Sequence, residues 1–317
     1  MLISYVSLLG GFVLLIIGGD TLIKGAVGLA ERFAVPPLII GLTIVAFGTS
    51  APELFVSLDA VFANQPGLAV GNVVGSNIAN VLLVIGIPAL ISTMSPTERG
   101  VRRNVFAMLV ATALFMAMMG FQGELTRVSG GILFALLIAY LVWQFVNARS
   151  NNVAPTFLDE EEVDAKGQSG LGIGLRIVAG LICLPLGAEL TVTGASSIAS
   201  SWGVPETIIG LAIVGIGTSL PELATSITAA WRGHGAVAFG NVVGSNLFNI
   251  LSIMGLTALI VPFDVDQRII DVDMWVMAAA AIVLAIVVFG RIRMGKALGA
   301  LLTAAFIIYL YTLFAWS

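Results

Sequence analysis

Charge is what this sequence has least of. Among 317 residues only 10% are Asp, Glu, Lys or Arg, while 58% are hydrophobic. Soluble domains carry about 25% charged residues. With a mean hydropathy of +1.06, the shortage argues against a water-soluble globule and for a chain solvated by lipid. A net charge of −4 offers no basic face to nucleic acid. The single cysteine, Cys183, excludes an internal disulfide and reads as a small buried residue in an apolar helix. The single histidine, His234, stands in the loop "RGHG" and reads as solvated. One Cys and one His give no repeated nucleophile–base pair, and Ser50 near Glu53 is not a triad, so the chain does not read as an enzyme. Scarce sulfur and imidazole likewise argue against zinc or copper. No Lys or Arg precedes Lys24, so residues 2–19 read as a first transmembrane helix rather than a cleaved signal.

What is abundant is apolar sequence in windows of roughly 17–25 residues, the length that spans a bilayer. Ten such spans are predicted, at 2–19, 37–62, 67–91, 103–120, 129–147, 171–188, 206–231, 236–260, 273–290 and 297–316. Segments 20–36 and 189–205 are expected to extend their helices past the bilayer core. Between them the polar, acidic stretch 149–169 divides the chain into units 1–148 and 170–317. The acidic run 159–164 lacks the EF-hand spacing and reads as a solvated linker. Of the 14 Lys and Arg residues, all but Arg127 and Arg268 fall in loops that follow odd-numbered spans. The positive-inside rule therefore puts residues 149–169 in the cytoplasm and both termini outside.

The two units repeat. Residues 18–86 align with 187–255 at a constant offset of 169, so that "GTSAPEL" (48–54) meets "GTSLPEL" (217–223) and "GNVVGSNIANVL" (71–82) meets "GNVVGSNLFNIL" (240–251). Five spans separate equivalent residues, an odd number, so the second copy enters the membrane from the opposite side. Many secondary transporters are built this way, with a midplane site made by discontinuous helices.

Proline removes an amide proton and clashes with the carbonyl four residues back. Pro52 and Pro221 are thus expected to free the carbonyls of Gly48 and Gly217 and break their helices. The hydroxyls of Thr49, Ser50, Thr218 and Ser219 add hard oxygen donors there. Glu53 and Glu222 follow on the same helix faces. A carboxylate at the bilayer centre costs roughly 2.5–3.5 kcal/mol, and no Lys or Arg recurs in the motifs to pair with it, so a bound cation is the natural partner. Gly71 with Gly75, and Gly240 with Gly244, form small-residue faces for close helix packing. Asn72, Ser76 and Asn80 step along one face, as do Asn241, Ser245 and Asn249; such neutral oxygens with carboxylates suit calcium. Interhelical hydrogen bonding explains Asn72, Asn77, Asn241 and Asn246 equally well. Asp20 and Glu189 also correspond and read as helix-end charges, with Asp20 paired to Lys24.

The two heptads and the paired "GNVVGSN" segments resemble the α-repeats (41–86 and 210–255) of the cation/calcium exchanger superfamily, most closely the prokaryotic sodium/calcium exchangers. The resemblance covers nearly the whole chain. It implies an all-α polytopic membrane protein of ten transmembrane helices, built as two inverted five-helix repeats with helices 2 and 7 broken. It also implies alternating-access antiport of Ca²⁺ against Na⁺ in a bacterial inner membrane. No cofactor beyond the transported ions and no partner beyond the lipid bilayer is expected. By motif position Glu53 and Glu222 would hold calcium, and Thr49 and Thr218 would add carbonyls and hydroxyls. Ser50, Ser76, Ser219 and Ser245, with the carbonyls of Ala46 and Gly215, would form sodium sites, and Asn80 and Asn249 would face the middle. Asn249 departs from the pattern, because aspartate is frequent there. Two carboxylates balance one Ca²⁺, two Na⁺ or two H⁺, whereas three Na⁺ leave the site at +1. Coupling to protons or a potassium-dependent exchange is therefore the alternative, and a passive cation channel is the reading from a different class.

Overall fold

The computed structural model describes residues 1–33, 35–97, 100–150, 169–204, 215–265 and 267–315. It is almost entirely helical. In chain order the helices are α1 (Leu2–Phe33), α2 (Pro37–Thr49), α3 (Ala51–Phe62), α4 (Pro66–Ile91), α5 (Val101–Gln122), α6 (Arg127–Ser150), α7 (Gly170–Ser201), α8 (Leu220–Trp231), α9 (Gly235–Ile260), α10 (Ile269–Phe289) and α11 (Lys296–Ala315). Among the described residues eight helices are long and apolar enough to cross a membrane, or nine with the bent pair α2–α3 taken as one span. The expected span 206–231 is described only from Gly215 onward, as a short helical turn, Gly215–Gly217, followed by α8. The linker expectation for 159–164 lies outside the described residues.

As expected, the first helix of each half runs long. At 1.5 Å per residue the 32 residues of α1 and of α7 reach about 48 Å, well beyond a hydrocarbon core of about 30 Å. These two helices pack against each other antiparallel through glycines. A Cβ on Gly180 would stand 2.9 Å from Gly18 O, and one on Gly11 would stand 2.7 Å from Gly187 O. Residues 11 and 180, and 18 and 187, are equivalents under the 169 offset. The contact is thus reciprocal, as a two-fold relation requires. Two short strand pairings repeat the relation: Leu125 pairs with Phe263 between β1 (Glu124–Leu125) and β2 (Phe263–Asp264), and Met94 bridges Met294. The all-α expectation did not include them.

Helices α4 and α9 sit in the core. Each widens into a π-helical turn at the same place, Asn80–Val84 in α4 and Asn249–Met254 in α9. Such turns interrupt the regular ladder and often mark functional sites. Cys183 is half-buried rather than fully buried, beside Gly18 on the α1–α7 seam. His234 is also half-buried, at the start of α9.

Candidate functional site

The break in the second span falls on Ser50 (φ −85°, ψ 4°), with Pro52 in the first turn of α3 and a bend of 41° between α2 and α3. Ser219 adopts nearly the same dihedrals (φ −87°, ψ 3°) before α8, which holds Pro221 in its first turn. Each break places a glutamate in the first turn of a new helix, where unpaired backbone N–H groups favour negative charge. Glu53 and Glu222 are 1% and 0% exposed. The Ser50 hydroxyl donates to Glu222 Oε1 at 3.0 Å, so the end of one half's break binds the other half's carboxylate.

Two asparagines clamp the breaks. Asn72 Nδ2 donates to the Glu53 carbonyl (3.2 Å) and Ser57 Oγ (3.1 Å), while its Oδ1 accepts from Thr218 at 3.5 Å. Asn241 Nδ2 donates to the Glu222 carbonyl (3.2 Å) and Ser226 Oγ (3.1 Å), and its Oδ1 accepts from Thr49 at 3.2 Å. Every partner in one clamp has its equivalent in the other. Each clamp also joins both halves, because each threonine comes from the opposite one. Asn241 Nδ2 adds a bond to Thr225 Oγ1 (3.0 Å) that has no counterpart, since residue 56 is Val.

Below the glutamates lies a set of four asparagines. Asn80 Nδ2 donates to Asn246 Oδ1 and Asn249 Nδ2 to Asn77 Oδ1, both at 3.0 Å. Asn72, Asn77, Asn241 and Asn246 are therefore interhelical hydrogen-bonding residues here, and Asn80 and Asn249 are held with their amide ends turned away. The carbonyl of Ala46 accepts the Ser50 N–H (3.0 Å) and the Thr49 hydroxyl (3.3 Å). In the second half the turn is tighter, with Ser219 N–H bonding Ile216 O at 3.0 Å. Gly215 lies just upstream of that turn.

Among the described residues, eight buried side-chain oxygens of this cluster have no hydrogen-bond partner: both of Glu53, Oε2 of Glu222, the hydroxyls of Ser76, Ser219 and Ser245, and Oδ1 of Asn80 and Asn249. Among the described residues no group of three His, Cys, Asp or Glu forms a metal cluster. The donor set is two carboxylates among neutral oxygens, the chemistry of a hard cation.

Gly240 and Gly244 pack as expected: added Cβ atoms would stand 2.7 Å from the Leu38 and Leu42 carbonyls of α2 respectively. Added Cβ atoms on Gly71 and Gly75 meet no described residue within 4 Å; the segment equivalent to their expected partner, 207–211, is outside the described residues. Gly48 and Gly217 face the side chains of Leu181 and Val192. Asp20 pairs with Lys24 at 2.9 Å as expected and also with Arg232, whose Nε is 2.7 Å away. Glu189 accepts from Thr193. Sequence reasoning passed over Ser57 and Ser226, although the offset of 169 links them.

Lipid-facing helices around a buried oxygen cluster define a polytopic membrane protein. A family model described as sodium/calcium exchanger protein matches residues 3–146 and 173–315. The chain belongs to that family and is a cation/calcium exchanger of the prokaryotic kind. It is 35% identical over 99% of its length to inner membrane protein YrbG of Escherichia coli (98% of that protein). It is 32% identical over 98% of its length to sodium/calcium exchanger MaX1 of Methanosarcina acetivorans (99% of that protein). It superposes on the solved structure of the sodium-calcium exchanger NCX_Mj soaked with Na⁺ and Sr²⁺ with a TM-score of 0.84 and 29% identity, covering 98% of both chains.

Proposed function

We propose that this chain moves Ca²⁺ across a bacterial inner membrane in exchange for Na⁺, by alternating access around Glu53 and Glu222. The carrying observation is the set of eight buried oxygens, contributed by both halves, that have no partner among the described residues. Calcium takes 6–8 oxygen ligands including carboxylates, and buried polar atoms are otherwise nearly always paired. Glu53 and Glu222 hold the divalent ion, and Thr49 and Thr218 contribute backbone oxygens. Ser50, Ser76, Ser219, Ser245 and the Ala46 and Gly215 carbonyls serve sodium, with Asn80 and Asn249 in the middle. Names borne by relatives, the sodium/calcium exchangers MaX1 and NCX_Mj, support the same ions.

The architecture behind this reading is ten spans in two inverted five-helix units, 1–148 and 170–317, joined by a cytoplasmic linker, with both termini outside. Reciprocal contacts between antiparallel equivalents, and one family model matching each half in turn, support it. The inner-membrane name of YrbG supports the location.

Coupling to protons is the second reading, and Asn249 favours it. With both central amides neutral, the site holds two carboxylates, matched by one Ca²⁺, two Na⁺ or two H⁺. The test is ⁴⁵Ca²⁺ uptake into proteoliposomes under a sodium gradient and, separately, a pH gradient. Uptake driven by sodium alone supports the proposal. Uptake driven only by protons moves the chain to the second reading, and conductance with no counter-ion requirement points to a channel and rejects both.

A further inference from the structure

Two methionines stand behind the asparagine cluster. Met277 Sδ accepts from Asn77 Nδ2 and Met108 Sδ from Asn246 Nδ2, each at 3.6 Å. Both side chains are buried, on α10 and α5, and 108 and 277 are again 169 apart. A thioether has no proton to give and only accepts. The amide it faces must therefore present its NH₂ end. That sets the flip of Asn77 and Asn246, whose oxygens then accept from Asn249 and Asn80. With their NH₂ ends engaged, Asn249 and Asn80 have Oδ1 left over, buried and without a partner among the described residues. Were Asn77 reversed, two NH₂ groups would meet, and Asn249 would have to turn its own NH₂ group toward the cation.

We propose that Met277 and Met108 are positioning residues of the cation site: through Asn77 and Asn246 they make Asn249 and Asn80 present oxygen, not NH₂, to the transported ion. The proposal rests on the exchange reading above. The two sulfurs are not equally important. Asn246 Nδ2 has a second acceptor in the Asn77 carbonyl at 3.5 Å, whereas the described acceptor of Asn77 Nδ2 is Met277 alone.

The test is the calcium dependence of ⁴⁵Ca²⁺ flux in proteoliposomes for wild type, M277L, M277Q, N77A and N77A/M277L. Leucine keeps the bulk and removes the acceptor, while glutamine restores an acceptor. M277L should raise KM for calcium about threefold to tenfold with little change in maximal rate. M277Q should return KM toward the wild-type value, and M277L should add nothing to N77A. M108L should shift KM in the same direction by less, and it carries the test if M277L fails to fold. A lowered maximal rate with unchanged KM, or equal defects in M277L and M277Q, would show packing alone and overturn the proposal. A wild type without saturable calcium flux would overturn the exchange reading, and this proposal with it.

Discussion

Inside the site, most clamp and amide hydrogen bonds come in pairs 169 residues apart; around it, the two longest helices do not act as equivalents. Gly19 of α1 lies against α8, where a Cβ would stand 3.1 Å from Ala224 O, and Thr228 beneath it is buried. The matching positions on α3, Phe55 and Asp59, are exposed. Gly48 and Gly217 are equivalents, yet both press on α7, at Leu181 and Val192. Asp20 binds Arg232 across the α1–α8 contact, while its equivalent Glu189 accepts from Thr193, and residue 63 is Ala. The clamps and amide pairs repeat because each half supplies the same residues, while the Ser50–Glu222 bond is not matched between Ser219 and Glu53. The helices that cover the site are unsymmetric: α1 lies against α8, while the matching positions of α3 are exposed.

The largest expected effect breaks the symmetric part. Glu53→Gln and Glu222→Gln each leave the ion with one carboxylate and should each lower calcium flux by at least roughly a hundredfold, since removing one partner of a buried charge set costs about 3–5 kcal/mol. Similar losses in both are the signature of a shared site; a large loss in only one would mean that the halves are not equivalent. Next come the clamps. Asn72→Ala and Asn241→Ala each strip the support from a break, and each should cut the maximal rate about tenfold, read in the same flux assay, because a lost buried hydrogen bond costs about 1–3 kcal/mol. Asn241→Ala should be the worse of the two, since it also loses the bond to Thr225 Oγ1.

Gly240→Ala puts a methyl group against the Leu38 carbonyl and should destabilise by about 1–3 kcal/mol, visible as a lower unfolding temperature in detergent. Smallest is the Asp20 pair. Its side chain is 31% exposed and that of Arg232 32%, and exposed ion pairs are worth about 0–1 kcal/mol. Arg232→Gln should therefore change stability little, and less still in high salt.

The site was legible because its chemistry is written in residue types and repeated. A glutamate after Thr-Ser-x-Pro in an apolar run has few explanations, and the second copy at 217–223 removes most of them. The offset of 169 also named Asn72 with Asn241 and Asn80 with Asn249. What it could not give was direction. Whether an asparagine turns its oxygen or its NH₂ group inward depends on neighbours such as Met277 and Met108, which in sequence are unremarkable apolar residues. Nor does a repeat disclose its own asymmetry: Asp20 and Glu189 are equivalents, and only the placement of the surrounding helices brings Arg232 to Asp20. The Asp20–Arg232 pair, 212 residues apart, was hidden for the same reason, while Asp20–Lys24 at i, i+4 was readable from helix spacing.

The central claim is that Glu53 and Glu222 together hold the calcium ion. Equilibrium dialysis of the purified protein against ⁴⁵Ca²⁺ tests it without any assumption about the coupling ion. The account predicts one ion per chain for wild type, and binding lost or weakened by at least about a hundredfold in both Glu53→Gln and Glu222→Gln. Wild-type affinity in either variant would contradict it.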